Sequence, residues 1–169
     1  MRRTGSGTYG AAMQPLVYIE TSIISYLAAR PSRELVTAAH QQLTADWWAA
    51  ARPGFRVGIS ELVVQESSLG DADSARRRLA LLDGLTILQL TPEGRELARA
   101  LMVELVIPST AAADALHIAV AAENGAHFLL TWNCRHIANA RTRSLIERIL
   151  RARGYTPPIL CTPEELMDA

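Results

Sequence analysis

Five short apolar runs, separated by helix-forming stretches, constrain this chain more than any other feature. They are Leu16-Val17-Tyr18-Ile19, Phe55-Arg56-Val57-Gly58-Ile59, residues 86–90, His127-Phe128-Leu129-Leu130-Thr131 and Pro158-Ile159-Leu160-Cys161. Short apolar strands alternating with helices imply a parallel sheet buried on both faces. The expected fold is a three-layer α/β/α sandwich whose mostly parallel sheet has about four to five strands. Between the strands, Pro31-Ser32 starts a helix over roughly 34–50 that Pro53-Gly54 breaks. Ser60 caps a helix bearing Glu61 and Glu66, and Asp71 caps another that stops at Gly84. Thr91-Pro92-Glu93 is a helix start, and Pro108-Ser109 begins a helix that runs through Asp114 to Gly125. An arginine-rich helix spans roughly 141–153, and Thr162-Pro163-Glu164-Glu165 forms a capping box on a short last helix. The Gly/Ser-containing residues 1–14 read as a flexible tail, leaving 15–169 as one domain.

Composition narrows the chemistry. The 169 residues are 49% hydrophobic and 20% charged, which excludes a disordered chain. All 17 basic residues are arginine, so a P-loop GxxxxGK[ST] site and a Schiff-base enzyme are excluded. With 17 acids the formal charge is zero, which argues against coating nucleic acid by bulk charge. Cys134 and Cys161 stand far apart and read as reduced thiols of a cytoplasmic protein. No apolar stretch approaches the roughly 20 residues that span a membrane.

In open α/β sheets, sites form beyond the carboxyl ends of the strands. Glu20 follows the first strand, Glu66 rides the helix after the second, Asp114 precedes the fourth and Asn133 follows it. Each has a simpler reading alone. Glu20 can cap the following helix, Glu66 can be solvated, Asp114 can favour a helix dipole, and Asn133 can be a turn residue. Together, three carboxylates converging on one edge repel each other without a cation. Oxygen ligands suit Mg²⁺ or Mn²⁺ rather than zinc, and such ions support hydrolysis of a phosphodiester.

Four segments then carry a resemblance in their order along the chain. Tyr18-Ile19-Glu20-Thr21-Ser22, Ser60-Glu61-Leu62-Val63-Val64-Gln65-Glu66, Asp114-Ala115-Leu116-His117-Ile118-Ala119 and Leu129-Leu130-Thr131-Trp132-Asn133 resemble the successive motifs of PIN domains. More narrowly, the chain is similar to the VapC-like ribonuclease toxins of type II toxin–antitoxin systems, from about Val17 to Leu166. The resemblance implies an Mg²⁺- or Mn²⁺-dependent endoribonuclease, with Glu20, Glu66, Asp114 and Asn133 as catalytic and metal-holding positions. It implies that Thr21, Ser22 and Thr131 hold ligands or waters in place. It also implies an RNA substrate, a cognate antitoxin and a homodimer. Two positions depart from the family pattern: Glu20 and Asn133 stand where aspartates are usual.

Charge is unevenly spread. Residues 133–153 carry six arginines against Glu147, a net +5, while 60–132 carry ten acids against five arginines, a net −5. Arg135, Arg141 and Arg143 begin this basic stretch beside the acidic site, where an RNA backbone can lie. A solvated helix face accounts for the same pattern. Arg76-Arg77-Arg78 reads as surface solvation, and Trp132 as core packing or a stacking platform. His117, one turn beyond Asp114, reads as a satisfied neighbour or as a residue that orients water or a ligand.

Overall fold

The computed structural model describes residues 13–105 and 111–167. Five strands form one all-parallel sheet: β1 (Leu16–Ile19), β2 (Arg56–Ser60), β3 (Thr86–Leu88), β4 (Phe128–Leu130) and β5 (Ile159–Cys161). The helices are α1 (Thr21–Ala28), α2 (Leu35–Asp46), α3 (Glu61–Ser67), α4 (Ala72–Leu81), α5 (Pro92–Glu104), α6 (Ala112–Glu123) and α7 (Arg143–Ala152). Helix α1 packs with α2, α3 and α4, whereas α5 packs with α6 and α7. These two groups cover the sheet, so the α/β sandwich expected from the alternation of elements is the observed architecture.

The strand order is β3-β2-β1-β4-β5. The chain therefore builds outward from β1 through β2 to β3, then returns to lay β4 against the other side of β1. This reversal opens a crevice between the carboxyl ends of β1 and β4, where ligands of such sheets bind. The register pairs Ile19 with Leu130, so Glu20 and Thr131 leave the sheet side by side. The central strands are dry: Val17, Tyr18, Ile19, Leu129 and Leu130 are all fully buried. Each large aliphatic side chain so placed contributes about 1.5–3 kcal/mol. Edge strands β3 and β5 leave Ile87 and Ile159 exposed. No helix among the described residues is long and apolar enough to cross a membrane.

Several local readings hold in detail. The Asp71 side chain accepts from Ser74 N, and Thr91 accepts from Gly94 N ahead of Pro92. Thr162 N donates to Glu165 Oε2 while Glu165 N donates to Thr162 Oγ1, the reciprocal bonds of a capping box. Its helix is one 3₁₀ turn, Glu164–Leu166. Gly84 and Gly125 end their segments with φ of +73° and +64°, the left-handed region that glycine enters without a Cβ clash.

Other readings need correction. The cap of α2 is Glu34, whose carboxylate accepts from Val36 N and Thr37 N, and Ser32 Oγ in turn accepts from Glu34 N. That helix ends at Asp46, and Trp47–Ala51 continue as a π-helical turn that buries Trp47. Ser60 sits at the N-cap of α3, yet its hydroxyl bonds Tyr18 rather than the helix. Arg77 and Arg78 are structural ties, not solvated charges. Arg77 Nε donates to Ala28 O at the end of α1, and Arg78 Nε to Ser67 O at the end of α3. Orphan carbonyls at both helix ends gain a charged donor this way. The tail read over 1–14 falls, apart from Met13 and Gln14, outside the described residues, as does the helix start at Pro108-Ser109.

Candidate active site

Glu20 occupies the N-cap position of α1 in extended conformation, but its side chain makes no capping bond. Instead it turns into the β1–β4 crevice and is buried. Ser22 Oγ donates to Glu20 Oε2 at 2.5 Å, and Thr131 Oγ1 donates to the same oxygen at 2.7 Å. Ser22 Oγ also accepts from Trp132 N, and Thr131 Oγ1 from Asn133 N. The end of β4 is thereby fastened to the start of α1, with the Glu20 carboxylate as the shared acceptor.

Glu66, on the last turn of α3, is half-buried and not a solvated helix residue. Its Oε2 accepts from the Thr21 hydroxyl and lies 3.1 Å from His117 Nε2. Burial pushes its carboxyl up, but the His117 hydrogen bond and charge and the Thr21 hydroxyl outweigh this, so the net shift is downward. Asp114 lies in the first turn of α6, where the helix dipole favours a carboxylate. Asn133 Nδ2 donates to Asp114 Oδ1 at 2.8 Å. Asn133 Oδ1 accepts from His136 N, so both ends of the amide are used. Burial raises the Asp114 carboxyl above the ordinary range; His136 opposes this, and the charges of Glu20 and Glu66 add to it.

The three carboxylates share one arrangement. Each has one oxygen held by hydrogen bonds: Glu20 Oε2, Glu66 Oε2 and Asp114 Oδ1. Among the described residues, no donor reaches Glu20 Oε1, Glu66 Oε1 or Asp114 Oδ2. Ligand atoms of Glu20, Glu66 and His117 fall within 4.8 Å of one another; Asp114 stands outside that tight group but close enough for its charge to be felt. Fixed carboxylates with one uncommitted oxygen each are the donor set that a hard divalent cation requires, so these residues fit Mg²⁺ or Mn²⁺.

Beneath the acids runs a buried chain of polar groups that the sequence reading did not assemble. Ser60 Oγ lies 2.8 Å from the Tyr18 hydroxyl, which lies 2.7 Å from His117 Nδ1. His117 is buried and joins this chain to Glu66. Burial above all keeps the Tyr18 phenol far above its usual range, aided by the charges of Glu20 and Glu66. A tyrosine amid an otherwise apolar strand was the one available sign, since a buried phenol must find a partner.

The flanking candidates divide. Arg135 and Arg141 are exposed, whereas Arg143 pairs with Glu165 at 3.3 Å and ties α7 to the last turn. One face of Trp132 is stacked by His40, with ring centroids 3.9 Å apart, and its indole N–H donates to Thr44. That residue clamps α2 to the end of β4. A surface cavity of 390 Å³, lined by Ser25, Arg30, Asp71 and Arg77 among others, is not lined by Glu20, Glu66, Asp114 or Asn133.

The profile of the PIN domain family matches residues 17–141. No curated protein matches the chain. Among solved structures, the fold is similar to a chain in the crystal structure of VapBC2 from Rickettsia felis bound to a DNA fragment from the promoter. The TM-score is 0.56 at 18% identity, covering 87% of this chain and 98% of that one.

Proposed function

Since the chain belongs to the PIN domain family, we propose that it is a divalent-metal-dependent endoribonuclease and the toxin of a type II toxin–antitoxin pair. The observation that carries this reading is the set of three carboxylates, each pinned through one oxygen and, among the described residues, uncommitted through the other. Glu20, Glu66 and Asp114 would hold Mg²⁺ or Mn²⁺, which when bound activates water and offsets charge on the scissile phosphate. Thr21, Ser22 and Thr131 fix the carboxylates in place, and Asn133 positions Asp114. Arg135 and Arg141 offer guanidinium forks to the RNA backbone beside the site. Arg143, held by Glu165, would contribute only after leaving that pair.

The VapBC2 resemblance supports a cognate antitoxin as partner, and we place the chain in the cytoplasm as a homodimer. A second reading, an RNA-binding or regulatory PIN domain without cleavage, draws on Asn133. Its amide spends its donor on Asp114 and brings no charge of its own. The experiment is cleavage of a mixed RNA pool with Mn²⁺, comparing the wild type with Asp114→Ala. Metal-dependent cleavage lost in the variant supports the nuclease. Equal behaviour of the two proteins refutes it, and RNA retention without cleavage selects the second reading.

A further inference from the structure

We propose that the cavity between the end of β3, the start of α3 and helices α5 and α6 is a nucleobase subsite for the RNA, in which Arg95 and Glu61 select guanine. The inference rests on the ribonuclease reading and deepens it by giving the substrate a base preference.

The strand order places this cavity beside the acids. Beyond β4 and β1, where Thr131 and Glu20 leave the sheet, its carboxyl edge continues across β2 to β3. There Ser60 pairs with Leu88, and both line the cavity. Three lining residues adjoin the site. Ser60 Oγ lies 2.8 Å from the Tyr18 hydroxyl, in the buried chain that ends on Glu66. Gln65 directly precedes Glu66, and Leu116 directly precedes His117, a step of about 3.8 Å along the backbone. A phosphodiester seated at the carboxylates therefore has a neighbouring base within reach of the cavity.

Size and chemistry select the occupant. The cavity measures 220 Å³, below the roughly 300–1,000 Å³ of clefts that take whole drug-sized ligands, so a single ring system is the class it fits. Its floor is apolar, and Leu88 and Val120 there are buried. Its rim carries Glu61, Gln65, Gln89 and Arg95, all exposed, and among the described residues no partner engages their side chains. A base has the same division, with apolar faces and hydrogen-bonding edges, and unpaired RNA offers both. The charges of Arg95 and Glu61 cancel, which suits a neutral base better than a phosphate. These two side chains also discriminate. An arginine fork matches the paired acceptors O6 and N7 of guanine, whereas adenine sets an amino donor on that edge. A carboxylate only accepts, and guanine's opposite edge supplies it with N1–H and N2–H₂.

The test titrates the full chain, in chelator, with the 5′-monophosphates of guanosine, adenosine, cytidine and uridine, and follows backbone amides in ¹H–¹⁵N spectra. The phosphate is common to all four, so differences among them report the base. The guanosine nucleotide is expected to bind about tenfold tighter than the others and to shift the amides of Gln65, Gln89 and Leu116. Arg95→Ala should erase that preference. Arg99→Ala removes an exposed arginine of the same helix that does not line the cavity, and should keep it. Equal affinities, a guanine preference that survives Arg95→Ala, shifts that map elsewhere, or no binding at all overturns the proposal. If binding is absent and Arg95→Ala instead splits a dimer in sedimentation, the cavity belongs to an interface between copies. Cleavage of RNA with Mn²⁺ is read separately. A chain that prefers the guanosine nucleotide but cuts no RNA fails only the nuclease reading, and one that cuts RNA without that preference fails only this one.

Discussion

Replacing Asn133 with aspartate tests how the site manages its charge. In the present structure Asn133 Nδ2 donates to Asp114 Oδ1 at 2.8 Å. Asn133→Asp exchanges that donor for a second carboxylate at the same distance. The lost bond to a charged group contributes about 1.5–3 kcal/mol. Two charges 3 Å apart at an effective dielectric of 20 add up to about 5 kcal/mol. Half-exposure, salt and sharing of a proton reduce this term to a fraction of that value. A net loss of about 3 kcal/mol in metal-free buffer is expected, or roughly 10 °C in Tm for a chain of this size. The sign with pH follows from Asp114, whose carboxyl burial already raises in the folded state. A raised carboxyl binds more protons folded than unfolded, so the penalty shrinks as pH falls and grows as it rises through the folded pKa. Mn²⁺ at a hundredfold its Kd returns about 2.7 kcal/mol. Thermal denaturation with chelator and with Mn²⁺ reads both effects. A variant that melts with the wild type in chelator, or gains no more from Mn²⁺ than the wild type does, refutes the reasoning.

The remaining expectations concern the frame around the site. Arg78→Ala removes the half-buried donor to Ser67 O and should cost about 1–2 kcal/mol in urea denaturation, against almost nothing for exposed Arg148→Ala. Burial pushes the Cys161 thiol up to about 12, while Cys134 is exposed. A thiol reagent at neutral pH should therefore modify one cysteine in the native chain, and a second only after unfolding. The Asp71 carboxyl is held below its usual range by the backbone and side chain of Ser74. Its stabilisation is present above the unfolded pKa and lost as pH falls through the folded one, so Asp71→Ala should lose less stability in acid than at pH 7.

The fold was legible because parallel strands announce themselves as uninterrupted apolar runs, and strands β1 and β4 could be placed from these alone. The positions of Glu20 and Glu66 followed, since strand ends and the helix after β2 are fixed by the same pattern. The bonds among them were not legible. Thr131 meets Glu20 across 111 residues and His117 meets Glu66 across 51, pairings that no local window contains. The helix after Glu20 was legible, but not that its N-cap side chain turns to Ser22 and Thr131 instead of capping it. Arg77 and Arg78 misled for a related reason, whereas Arg76 is the exposed surface charge it was read to be: a run of arginines looks solvated until the helix ends above it are known.

The reversal of strand order between β1 and β4 also carries a consequence in time. Glu20 leaves the synthesis machinery early, and β2 and β3 can join β1 as they emerge. Thr131, Trp132 and Asn133 arrive more than a hundred residues later, and they hold Glu20, Ser22 and Asp114 in place. A growing chain therefore possesses most of its sheet before it possesses a site. Any activity that resides in these carboxylates switches on only when β4 slots in, so partly made copies are silent by construction.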